Sequence, residues 1–185
     1  MSNRTPKVIT DWKQEIAIAW LVKQAMMTLD KEKIFPYHMP EIAASKEALL
    51  DAERSLGHQI DAKYKQFLQC ANGWQAFWHA ADLFGTSDLI DGPRKEAGEF
   101  LLSMVPDEVL HKSAVKRTDL LPISATRLDK DLFVITRPPS PNPGSVIWFA
   151  GEEVERFVTF DEFFLAMVEY SRRDVEWLRR RRGID

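Results

Sequence analysis

Gly57 and the Asn72-Gly73 pair divide this chain more sharply than any other feature. Up to Gly73 the apolar residues recur at three- and four-residue steps. Beyond it, short branched and aromatic runs alternate with turn residues. Gly and Asn tolerate positive φ, so both points are natural helix ends. Helices, then a series of strands, then a final helix predict a single α+β domain. Its sheet is antiparallel or mixed and is flanked by helices.

Residues 11–33 read as an amphipathic helix with Trp12, Ile16, Ala19, Trp20, Met26, Met27 and Leu29 along one stripe. Pro36 and Pro40 bracket an irregular crossing that carries Phe35 and Tyr37. Ser45 can cap a helix bearing Leu49, Leu50, Ala52 and Leu56. Asp61 can cap the next, with Tyr64, Phe67, Leu68 and Ala71 on one face. The short turn between the two predicts that Tyr64, Phe67 and Leu68 pack on Leu49, Leu50 and Leu56.

Residues 74–80 and 83–84 read as short strands, and Gly85-Thr86-Ser87 as a turn. Gly92-Pro93 opens a helical stretch through Met104, followed by a short one over residues 106–110. Residues 121–124, 132–136, 146–149 and 155–158 are strand-like. Four prolines between residues 138 and 143 make the intervening loop a hairpin-like excursion or a flap. Thr159 and Glu162 form a capping box ahead of a long stripe through Phe163, Phe164, Met167, Val168, Ser171, Val175 and Leu178. Residues 1–40 are expected to form a helical extension, 41–170 the core, and 171–185 the basic end of the last helix.

The 185 residues can bury about two thirds of their unfolded surface in one core. Six Trp and eleven Phe at a net charge of -3 exclude a disordered chain. No apolar stretch approaches the roughly 20 residues of a membrane span. Residues 1–13 are polar and lack the pattern of a secretory signal, and one Cys forms no internal disulfide. A reducing, cytoplasmic setting is the expectation. Net charge hides an asymmetry of +2 over residues 1–40, -8 over 41–170 and +3 over 171–185. An acidic body favours encounter with basic partners and disfavours nucleic acid.

Catalytic constellations are missing from the sequence. The four His residues, at 38, 58, 79 and 111, never fall at i, i+4 spacing, and Cys70 has no companion Cys, so no metal and no cofactor are expected. Cys70 reads as an inert thiol, since a nucleophile needs a base beside it. No nucleophile elbow or phosphate loop is present. The carboxylate pairs Asp88/Asp91, Asp129/Asp131 and Glu152/Glu153 sit in turn-like sequence and read as solvated. Arg179–Arg182 complements a helix C-terminus, and no stacking platform beyond Trp177 suggests nucleic acid. Trp74 and Trp78 would share a strand face with Ala76, either as core or, if exposed, as anchors for a partner.

The block Glu53-x-x-Leu56-Gly57-x-x-Ile60-x-x-x-Tyr64-x-x-Phe67-Leu68-x-x-x-Asn72-Gly73 resembles the helix-pair signature of the SUKH superfamily. Leu83-Phe84-Gly85, Leu121-Pro122-Ile123-Ser124, Asp131-Leu132-Phe133, Val146-Ile147-Trp148-Phe149 and Phe160-Asp161-Glu162-Phe163-Phe164 follow in the same order as in that group. The family often has Leu-Pro where Ile60-Asp61 stands; both openings start a helix. The resemblance covers residues 45–170. It implies a non-enzymatic protein-binding module, either an immunity protein that occludes a cognate bacterial toxin or a regulator of the fungal cell-wall-synthesis type. An enzyme with a site assembled from dispersed residues is the remaining class. Expected contacts for a basic protein partner are Asp88, Asp91, Glu152 and Glu153, with Trp74 or Trp78 as anchors.

Overall fold

Asp11 starts the first helix by accepting the Gln14 amide at 3.1 Å, and α1 runs Trp12–Leu29. The computed structural model describes residues 8–126 and 129–184. Helix α1 ends short of the expected residue 33, because the Asp30 carboxylate accepts the amides of Ile34 and Phe35 and the Tyr37 hydroxyl. Those bonds turn the chain back along the helix. Met27 falls outside the stripe and is exposed.

Ser45 accepts the Ala48 amide and opens α2, Lys46–Leu56; Gly57 ends it at φ 71°. Asp61 accepts the amides of Lys63 and Tyr64 and opens α3, Ala62–Leu68. Leu49 and Ala52 of α2 are buried. Leu50 is 55% exposed, which corrects its expected place in the packing: it lies one helical step off the buried face.

Strands β1 (Trp74–Trp78) and β2 (Ala81–Leu83) come next. Residues 85–87 do not form a simple turn but open a short helix, α4 (Thr86–Ile90), with the Asp88 carboxylate accepting the Gly85 amide. Helices α5 (Pro93–Met104) and α6 (Asp107–Lys112) lead to β3 (Leu120–Ala125), β4 (Leu132–Thr136), β5 (Val146–Phe149) and β6 (Glu153–Phe157). The proline-rich loop is a stapled β4–β5 excursion. The Thr136 hydroxyl donates to the Asn142 carbonyl and accepts the Ser145 amide. Helix α7, Phe160–Arg181, closes the chain. Its capping box is half formed. Thr159 accepts the Glu162 amide, but Glu162 reaches back to the Val158 amide, not to that of Thr159.

The sheet order follows the sequence, β1-β2-β3-β4-β5-β6, with every neighbour antiparallel. Register places Pro122, Val134 and Ile147 on one face, and Phe133, Trp148 and Glu155 on the other. Helix α5 covers the first face, where a Cβ on Gly98 would lie 2.8 Å from Pro122 Cβ. Helix α7 covers the second, with the Phe163 ring packed at an angle against Phe133 and Phe157 at 5.2 and 5.7 Å. Trp12 joins α1 to this layer: its ring lies 5.1–5.7 Å from Phe67, Phe160 and Phe164. Near β1, two glycines meet backbone to backbone. A Cβ on Gly85 would lie 2.2 Å from the Asn72 carbonyl oxygen, and one on Gly73 would lie 2.7 Å from the Gly85 nitrogen.

Candidate functional site

Both candidate tryptophan anchors point into the core. Trp74 is buried, and its indole N–H donates to the His38 carbonyl at 2.7 Å. Trp78 is also buried, packed on Trp148 at 5.0 Å and on His79 at 4.2 Å. The simple alternation expected for this strand fails at Ala76, whose φ of 49° marks an irregular register. Truncating either indole would therefore cost stability rather than remove a surface contact.

Asp88 lines one cleft, and Glu152 and Glu153 line another. Asp88 is not a free solvated carboxylate: together with Asp82 and Glu41 it surrounds Arg94, at N–O distances of 3.0–3.1 Å. Burial opposes the guanidinium charge, but these three carboxylates more than offset that and hold it protonated. Asp91 is exposed and bonds only the adjacent Gly92 amide. In the β5–β6 turn Glu152 is exposed, whereas Glu153 is gripped by Arg156 through both oxygens at 2.7–2.9 Å. That pairing holds the Glu153 carboxyl below its ordinary range.

Between α5 and the sheet lies an apolar groove of about 670 Å³, lined by Phe100, Leu101, Met104, Val105, Leu132 and Phe149 among others. Phe100 and Met104 are each 64% exposed. They sit one turn apart on α5, while Gly98 and Leu102 face inward. Large side chains held out of the core in this way mark interaction surfaces. Gly151 and Asp129 also line the groove, so the β5–β6 turn with Glu152 borders it. The sequence contained the signal: a helix with apolar residues on more than one face leaves one face without a partner inside the fold. Of the two alternatives for Trp74 and Trp78, core or anchor, the structure has both as core.

The remaining chemistry is sparse. Cys70 is partly buried, and burial pushes its thiol pKa up, away from nucleophilic character. His79 pairs with Asp174 at 3.0 Å and stacks on Phe35 and Trp78. Asp131 accepts the Trp148 indole N–H, and burial raises its carboxyl. Among the described residues no group of three His, Cys, Asp or Glu side chains is placed to hold a metal ion. No helix among them is long and apolar enough to cross a membrane. In the basic end of α7, Arg181 pairs with Glu32 at 2.8 Å and lies over the Trp177 ring.

A family model described as SMI1 / KNR4 family (SUKH-1) matches residues 43–166. No curated protein matches the sequence. The matched span contains the groove, the whole sheet and Arg94 with Asp82 and Asp88; Glu41, α1 and the C-terminal part of α7 lie outside it.

Proposed function

Because the chain belongs to the SMI1 / KNR4 family (SUKH-1), we propose that it is a non-enzymatic binding module that neutralises a cognate bacterial toxin by covering its active site. The observation that carries this reading is the apolar groove beside α5, with Phe100 and Met104 held out of the core. Two bulky side chains above a cleft are the anchors that a protein interface uses. The charge of -8 over residues 41–170 suits a partner with a basic cleft, since complementary fields speed encounter.

Inhibition of this kind needs no covalent step. The module would exclude substrate sterically, and its carboxylates would occupy the field that the toxin uses for a phosphate-bearing substrate. The test is co-expression with the toxin encoded beside its gene. Protection of the cells and a complex that survives purification are expected. Replacing Phe100 and Met104 by Ser should abolish both while the melting temperature is unchanged. Neither protection nor a complex with the native chain overturns the reading.

A further inference from the structure

The two edges of the sheet are treated differently. At β1 the edge is closed. The Ala76 carbonyl accepts the buried Lys23 ammonium at 2.6 Å, and just ahead of the strand the Gly73 carbonyl accepts the Glu41 amide. A positive φ at Ala76 adds a kink. A buried lysine and a bulge are the devices that keep a foreign strand off an edge. At β6 the register also slips, by one residue at Val154, but the outer backbone of the strand is left uncovered. Among the described residues, no group outside β5 hydrogen-bonds the backbone of residues 153–157.

A cleft of about 690 Å³ lies beside this open edge, between Glu152–Arg156 and the Val109, Lys112 and Ser113 side of α6. Arg156 anchors α6 there by donating to the Ser113 carbonyl at 2.7 Å. Val154 and Val158 stand out from the edge, 48% and 62% exposed. We propose that β6 receives an extended, basic segment of the protein partner as a seventh strand. The proposal rests on the binding-module reading and names how the partner is held.

Charge selects the occupant. Lys112 is paired with Glu108 and Arg156 with Glu153. Glu152 has no cationic partner among the described residues, and Glu155 meets only the Tyr170 hydroxyl. Two uncompensated carboxylates along the edge favour lysine or arginine on the incoming strand. They disfavour a second copy, which would bring the same carboxylates. The β5–β6 turn joins this edge to the apolar groove, since Gly151 lines one cleft and Glu152 the other. One partner can therefore fill the groove and continue along β6. Backbone bonds would supply affinity and the alternate side chains selectivity.

The test uses the full chain and a synthetic peptide about seven residues long that alternates lysine with valine and threonine. Amide hydrogen exchange is read at residues 153–157. At about 1 mM peptide, exchange there should slow about tenfold. The same peptide with alternate amides N-methylated should lose that effect, because it cannot complete a ladder. So should a version with glutamate in place of lysine. Unchanged exchange at β6, or equal slowing by the N-methylated peptide, overturns strand addition. A chain that protects cells from the toxin yet shows no slowing loses strand addition alone. A chain that slows at β6 but gives no protection keeps it and loses the toxin reading.

Discussion

The Lys23 ammonium donates to the Ala76 carbonyl oxygen at 2.6 Å, from a side chain that is 4% exposed. Helix α1 is thereby fixed to the first strand of the sheet. Burial drops the Lys23 pKa to about 8, against a smaller opposing effect from Asp174. Below that value the amine is charged in both folded and unfolded chains, and its burial is a constant cost. Between about 8 and the ordinary 10.5, the unfolded chain holds a proton that the folded chain has released. Stability from this group therefore rises with pH across that window, by up to about 3 kcal/mol. Urea midpoints of the native chain and Lys23→Met, measured from pH 7 to 10, should diverge by this rise. Parallel curves would show that Lys23 is solvated.

Phe67 is fully buried between Trp12, Phe160 and Phe164. Phe67→Ala should cost about 3–5 kcal/mol through lost contacts and the cavity left behind. Denaturant unfolding checks it. A midpoint that barely moves would mean the ring cluster collapses around the gap.

Thr159 accepts the Glu162 amide at the start of α7. Thr159→Ala should lose about 1 kcal/mol, while Thr159→Ser should be close to neutral. Equal losses would assign the role to the methyl group. Glu162→Gln should have a small effect, because the side chain serves the Val158 amide and the Gln carbonyl can accept the same bond.

Phe100 and Met104 take little part in the core. Replacing both by Ser should leave the unfolding free energy within about 0.5 kcal/mol of native. Binding to the proposed toxin partner should weaken by about 2 kcal/mol or more, read by calorimetry. A large stability loss with unchanged affinity would place the pair in the fold rather than at the interface.

The Ser45, Asp61 and Thr159 caps and the helix end at Gly57 were legible in the sequence because they are local. Ser45, Asp61 and Thr159 each accept an amide two or three residues ahead, and the residue type at that offset is enough to read them. Helix α4 was hidden because its N-cap is Gly85 and the stabilising carboxylate, Asp88, reaches back from inside a five-residue element. The burial of Lys23 could not be read, since its partner is 53 residues away and a lysine on an amphipathic helix normally faces water. The tryptophans show the same limit. Alternation predicts which side chains share a face, but the kink at Ala76 and the helix that covers the face are set by distant chain. The carboxylates of the β5–β6 turn stand out in the sequence, whereas nothing local to the helical stretch ending at Met104 tells which of its apolar residues face outward.

The close approach of Gly73 and Gly85 has a consequence for how such a chain can change. Neither position admits even a methyl group, because the obstacle on each side is main chain rather than a movable side chain. No second substitution can make room, so the pair behaves as a rivet that mutation can break but not reshape. The residues around the groove and along β6 carry no such constraint. Side chains there can change through many neutral steps while the rivet keeps the scaffold in register.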